Sequence, residues 1–315
     1  MTSGTASETT PATAVAFSAP GGPDVLSVVD LPVTEPGPGE ARIRVAAAAM
    51  HPADLVVRAG IRPIEVGPPF VPGMAVAGIV AAVGPGSRWS VGDRVMTMTL
   101  PSSSYRGGYR ASVVAPDDTI APVPDVLDLD VAATLPMNGH TALQIIDALE
   151  VGPGTTLAVT GAAGALGSLV VPLAKARGAR VIAAARPHDG DRLAALNPDV
   201  VVATDDLVLG IIAAADGQVD AVADLAILDE AALPAVRTGG RIASLRGWQG
   251  PADRAITVHA VAVPREWHRG DRLAEVAGIT SPDRPVEVFA PSEAALAHRL
   301  LERGGLRRSL VLTFA

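Results

Sequence analysis

Cysteine is absent from the 315 residues. That removes disulfides, thiol nucleophiles and thiolate metal sites in one step. Lysine is almost as scarce: Lys175 is the one lysine among 25 basic residues, so Schiff-base chemistry would have to rest on that single side chain, which the sequence places on a helix. The histidines (His51, His140, His188, His259, His268 and His298) lack the i, i+3 or i, i+4 pairing of a helical metal site, and no metal is expected. No apolar run is long enough to span a bilayer. The net charge of -8, without any basic cluster, argues against a nucleic-acid surface. Met1 to Ala12 is rich in Ser, Thr and Ala, with neither a basic start nor an apolar stretch. It reads as a disordered tail and not a signal peptide, which makes the cytoplasm the expected compartment.

What is present is apolar material, 49% of the chain, enough for a sizeable core and for two domains. From about Ala14 to Ile120 short β-type runs alternate with Gly and Pro turns, the texture of a compact, mostly-β domain. From Asp128 onward helix-like and strand-like segments alternate, which implies a parallel, doubly wound α/β sheet with its ligand at the carboxyl ends of the strands. Within it, Val131 to Glu150 reads as helix interrupted at Asn138-Gly139, and Ala231 to Val236 as a further helix. The closing run Leu310-Val311-Leu312-Thr313-Phe314 is a strand able to return to the first domain.

The most informative stretch is Val159-Thr160-Gly161-Ala162-Ala163-Gly164-Ala165-Leu166-Gly167. An apolar strand enters a small-residue turn, a helix leaves it, and a second apolar strand ends at Ala185-Arg186: the order of a dinucleotide-binding unit. Gly164 lets the main chain approach phosphate oxygens, Gly167 lets helix and strand pack closely, and free N–H groups at the helix start attract negative charge. Ala163, Gly164, Ala165, Leu166 and Gly167 are therefore the expected pyrophosphate contacts. Where the NAD-binding fingerprint carries an acidic residue, this chain has Ala185 followed by Arg186. A guanidinium there suits a 2′-phosphate, so the sequence favours NADPH.

The order of features resembles the medium-chain dehydrogenase/reductase superfamily, in its zinc-independent quinone oxidoreductase (zeta-crystallin-like) branch. The landmarks are Gly21-Gly22-Pro23-Asp24-Val25-Leu26, Pro36-Gly37-Pro38-Gly39-Glu40, Pro52-Ala53-Asp54, Val91-Gly92-Asp93-Arg94-Val95, Leu135-Pro136-Met137-Asn138-Gly139-His140-Thr141-Ala142 and the turn itself. The resemblance implies a GroES-like domain over 1–130 and 269–315, a Rossmann-type domain over 131–268, and an active cleft at their junction. It implies a homodimer and a metal-free transfer of hydride from NADPH to a quinone or α,β-unsaturated carbonyl. By position it places Asn138 and Thr141 near the nicotinamide and His51 on the opposite wall.

An imidazole at His51 is suited to protonating a reduced acceptor or holding its carbonyl. Tyr105 is a second candidate proton donor, Trp248 a platform for a flat acceptor, and Arg246 a cofactor contact. Asp54 and Arg58 read as loop-fixing residues. Four departures from the family pattern stand out: His51 replaces Asn, Val56 replaces Tyr, Ala75 replaces an acidic residue, and Ala223 to Ile227 lacks the usual glycines. They leave open an unusual acceptor, a non-redox step such as cyclisation or elimination, or a nucleotide-binding protein without turnover.

Overall fold

The structure is a computed structural model and describes residues 11–62, 64, 66–250, 254–279 and 284–314. All but the last two residues of the tail expected over 1–12 lie outside that range, and Ala12 already opens the first strand. The chain builds an antiparallel pair, β1 (Ala12–Ala16) and β2 (Ser27–Leu31). It continues with β3 (Glu40–Ala49), helix α1 (Pro52–Arg58), β4 (Ala75–Val83), β5 (Arg94–Met98), β6 (Ser112–Pro116) and β7 (Ile120–Pro122). Along β3, Ala41, Ile43 and Val45 alternate inward, the period of a strand with one face on a core.

Helices α2 (Leu129–Ala132) and α3 (Leu135–Ala148) lead into the second part. There β8 (Thr156–Thr160), α4 (Gly167–Ala176), β9 (Arg180–Ala185), α5 (Gly190–Ala195), β10 (Val200–Ala203), α6 (Leu207–Ala215), β11 (Val219–Asp224), β12 (Val236–Ser244) and β13 (Thr257–Ala260) follow in turn. The six strands form one parallel sheet in the order β10-β9-β8-β11-β12-β13. The sheet order reverses at β8, so the β8–α4 turn sits where doubly wound sheets take their ligands. Leu157, Ala158, Val159 and Thr160 of β8 are all buried, as expected for a strand covered on both faces.

After α7 (Gly270–Ala277) the chain returns to the first sheet through β14 (Val286–Phe289), α8 (Ala294–Arg303) and β15 (Ser309–Thr313). That sheet runs β14-β15-β3-β4-β5-β7, with β6 on β3. The result is an α/β protein of two lobes. One apolar core joins them, since Ala47, Ala77 and Met96 of the first cluster with Leu143, Ile146 and Val159 of the second. Among the described residues no helix is long and apolar enough to cross a membrane.

Two expectations are corrected. Helix α3 runs straight through Asn138-Gly139. The break lies earlier, at Ala133-Thr134, where Pro136 fits a first turn. Gly139 is there for packing, since a methyl group at that position would press on Leu273 and Val276 of α7. The segment read as helix over Ala231 to Val236 is a 3-10 helix over Asp229–Ala235, and its last residue enters β12.

Candidate active site

The turn after β8 is built by its backbone. Leu166 and Gly167 start α4, and a Cβ on Gly167 would come within 2.2 Å of the Ala162 carbonyl oxygen, so only glycine permits this approach of helix to strand. At Gly164 the one neighbour of an added Cβ would be the Gly161 carbonyl at 3.2 Å, so the space in front of it is open. Gly164 N–H closes the turn onto that same carbonyl and Ala162 N–H is used by Ala184. The N–H groups of Ala165, Leu166 and Gly167 meet no acceptor among the described residues. Three unpaired amides around an open glycine at a helix start make a cradle for a diphosphate, and the residues present fit a dinucleotide.

A cavity of about 220 Å³ between the lobes is lined by Ala165 of this turn, Asn138 of α3 and His51 at the start of α1. Much of its remaining wall is carboxyl-terminal, including Arg284, Gly304, Gly305, Leu306 and Arg308. Asn138 donates to the Thr134 carbonyl at 3.3 Å. Thr141, one turn on, is buried and donates to the Met137 carbonyl at 2.8 Å, and it does not line the cavity.

His51 is 3% exposed. Its Nδ1 is buried without a hydrogen-bond partner among the described residues and lies 3.9 Å from Asp54 Oδ2. Burial lowers its pKa to about 4, opposed by the Ala49 carbonyl. Asp54 accepts the His51 backbone N–H (2.8 Å), the Gly73 N–H (3.0 Å) and the Tyr109 hydroxyl (3.1 Å). Burial still outweighs those three donors and pushes its carboxyl up to about 7. Behind Tyr109 stand His298 (3.3 Å from the phenol oxygen) and Arg58, which ion-pairs with Glu302. The loop-fixing role read for Asp54 and Arg58 thus belongs to a buried network spanning α1, the loop before β6, and α8.

At the carboxyl end of β9, Arg186 is exposed and its side chain meets no partner among the described residues. A carboxylate that sequence inspection passed over stands three residues on. Asp189 is 4% exposed and bound in bidentate fashion by Arg307 of the other lobe, at 2.6 and 2.7 Å. Arg307 holds its pKa below the usual carboxylate value. This carboxylate is occupied, and the exposed guanidinium of Arg186 is left as an open charge at that edge.

The remaining candidates are not brought to the cavity. Tyr105 lines a separate cavity of about 550 Å³ on the first lobe, with Glu40, Arg106 and Arg110. Its hydroxyl donates to Glu40, a bond that raises its pKa to about 12, and its ring sits edge-on to Trp267. Trp248 packs on the core behind β12, its ring against Gly250. Arg246 is exposed at φ 60° on the loop after β12 and does not line the cavity. The cavity's carboxyl-terminal wall, Arg284 above all, was missed, because nothing in the local sequence marks a residue delivered from a returning strand. The one available signal was the returning strand itself.

The two lobes and the glycine cradle define a two-domain α/β protein of the dinucleotide-binding kind. Residues 37–125 match the model of the alcohol dehydrogenase GroES-like domain. Over 246 residues the chain is 31% identical to a probable quinone oxidoreductase of Schizosaccharomyces pombe, covering 76% of this chain and 73% of that protein. It is 32% identical over 180 residues to the quinone oxidoreductase of Sus scrofa (56% of this chain) and 38% identical over 168 residues to the 2-haloacrylate reductase of a Burkholderia species (51% of this chain). Those two matches span about half the length of the relatives, 54% and 49%. Among solved structures, an NAD-dependent alcohol dehydrogenase superposes with a TM-score of 0.84 at 31% identity, covering 96% of this chain and 100% of that one. The quinone oxidoreductase of Coxiella burnetii does so with 0.82 at 27% identity, covering 97% and 100%. The chain belongs to the medium-chain dehydrogenase/reductase superfamily, in its quinone oxidoreductase branch.

Proposed function

We propose that this chain is an NADPH-dependent oxidoreductase that reduces a quinone or an α,β-unsaturated carbonyl without a metal. The carrying observation is that the unpaired amides of Ala165, Leu166 and Gly167 belong to a turn opening on the same cavity as His51 and Asn138. A diphosphate at the turn and an acceptor beside His51 would thereby meet across one cavity. When bound, the nicotinamide supplies hydride. The chain's own residues then have to hold both partners close, keep water out and provide a proton. Ala163 to Gly167 hold the diphosphate, and Asn138 fixes the ring's end of the cleft, with Thr141 one turn behind it. Arg186, unpaired while Asp189 is occupied, takes the 2′-phosphate. His51 provides the proton to the acceptor. The Burkholderia relative is named for a halogenated acrylate, which favours an activated alkene among the acceptors. Zinc independence is supported by the absence of cysteine. Among the described residues β13 is an outer strand of the parallel sheet with its far edge unpaired, a surface on which a second copy would add to make the homodimer.

Stopped-flow oxidation of NADPH and NADH with a panel of quinones, enones and acrylates tests this. Turnover with NADPH preferred is expected. Micromolar cofactor binding without turnover across the panel would favour a non-redox or non-enzymatic role, and no binding of either cofactor would overturn the reading. Sedimentation analysis tests the dimer.

A further inference from the structure

We propose that Asp54 stores the proton that His51 hands to the acceptor, so that the imidazole works as a neutral relay between a buried carboxyl and the cavity. The relay rests on the reductase reading for its acceptor, while its geometry is independent of it.

The donors and acceptors behind Asp54 point in one direction. Arg58 can only donate, so His298 Nδ1, 3.1 Å from Arg58 Nη1, is the acceptor. His298 then carries its hydrogen on Nε2, facing the Tyr109 oxygen at 3.3 Å. The Tyr109 hydrogen is left for Asp54 Oδ2 at 3.1 Å. With the His51 and Gly73 amides, three donors converge on the carboxylate that remains once Asp54 has given up its proton. The anion is therefore solvated in advance by groups that need not move.

On the other side, Asp54 Oδ2 lies 3.9 Å from the unpartnered Nδ1 of His51. That gap is longer than a hydrogen bond, as catalytic contacts commonly are before a substrate fills the site. Burial disfavours the charged form of both groups, so below about pH 7 the resting pair is a neutral carboxyl beside a neutral imidazole. The charged groups around them reinforce burial at His51 and oppose it at Asp54. Arg58 on α1 is paired to Glu302 of α8, and Arg284 and Arg308 line the cavity, the latter paired to Glu287. Cations here oppose an imidazolium and favour a carboxylate.

The step balances without an imidazolium. An acceptor that has gained hydride at carbon takes a proton on oxygen from His51 Nε2. His51 Nδ1 takes the proton of the Asp54 carboxyl, leaving a carboxylate and a neutral imidazole. A proton from water, entering at Nε2 when the cavity opens, returns the Nδ1 proton to Asp54. Arg58 does not release a proton, so refilling comes from the cavity side and not through the network. Asp54, Tyr109 and His298 are positioning residues in this scheme, and His51 alone touches the acceptor.

The test uses the full chain labelled with ¹³C-aspartate, with Asp54→Asn for assignment. One aspartate carboxyl is expected to titrate near pH 7 in the parent and to vanish in the variant. Tyr109→Phe, which keeps Asp54 and deletes one donor to its anion, moves that titration upward. If every aspartate titrates below about pH 5, the store does not exist, whatever the acceptor. In turnover, activity falls as pH rises through 7 in the parent. Asp54→Asn is expected to lose at least about tenfold in kcat and that limb with it, with cofactor affinity retained by fluorescence titration, and Tyr109→Phe to carry the limb upward. Unchanged kcat and pH profile in both variants would overturn the relay. Failure of the parent to turn over any acceptor sinks the reductase reading instead, and the carboxyl titration then decides the relay by itself.

Discussion

The cleft has two walls made in opposite ways. The β8–α4 wall is seven consecutive residues, Gly161 to Gly167, and the groups it offers are unpaired backbone amides. The His51 wall is assembled from α1, the loop before β6 and α8, with contacts spanning 189 and 240 residues of sequence. Backbone groups are placed by local turn geometry, which a short motif specifies. Side-chain groups are placed by whatever the rest of the fold delivers. The first wall tolerates no change of main-chain shape, and the second tolerates no loss of a partner.

The largest expected effect breaks the first wall. Gly167→Val puts a branched side chain where even a Cβ would lie 2.2 Å from the Ala162 carbonyl. Helix α4 has to move off β8, costing about 3 kcal/mol or more of stability and abolishing cofactor binding. Urea unfolding and fluorescence titration check both. A variant that still binds cofactor with parental affinity would show that the amides need not sit where this turn puts them.

The second prediction concerns the buried histidines, two of which lie in or behind the second wall. Burial lowers His51 and His140 to about 4 and His298 to about 3, while Asp54 is raised to about 7. Below pH 6.5 the unfolded chain takes protons on the three histidines that the folded chain refuses, and stability falls. Asp54 opposes this, because the folded chain keeps a proton there that the unfolded chain releases above about 4. Three against one leaves about two protons in favour of the unfolded state. Stability should fall by about 3 kcal/mol per pH unit between pH 6 and 5. Thermal unfolding across that range measures the slope, and His298→Gln, which removes one of the three, should flatten it.

A smaller effect separates the two cofactors. Arg186→Ala removes a guanidinium that the fold leaves unpaired, while Asp189 stays locked to Arg307. A charge-assisted contact of about 1.5–3 kcal/mol corresponds to about a 10–100-fold weaker NADPH complex. NADH binding should be unaffected. Equal losses for both cofactors would place Arg186 in general binding and not at a 2′-phosphate.

Much of this was legible in sequence because it is local. The strand-turn-helix-strand order, the parallel sheet and the returning strand all followed from apolar runs and glycines, and the structure shows each of them. What was not legible depended on long-range delivery. Asn138-Gly139 looked like a helix break because glycine and asparagine weaken helices, yet packing against α7 overrides that propensity. Asp189 looked like any loop aspartate until Arg307 arrived from the other lobe. Asp54 was readable as a loop anchor, but neither the helix it stands on nor its link to Tyr109, His298 and Arg58 has a sequence signature.

Tyr105 sharpens the same contrast from the other direction. Chemically it is as plausible a proton donor as His51, and both stand on loops of the first lobe. The fold sends them to different cavities, and Tyr105 spends its hydroxyl hydrogen on Glu40. With its acidity weakened to about 12 by that carboxylate, it has neither the place nor the acidity for the reaction. Tyr105→Phe should therefore leave turnover and its pH profile within about twofold, since no transition-state contact is lost. It should cost at most about 1 kcal/mol of stability from the Glu40 bond. A large loss of kcat in that variant would mean that the two cavities join during turnover, and the sharp division between the two loops would then have to be given up.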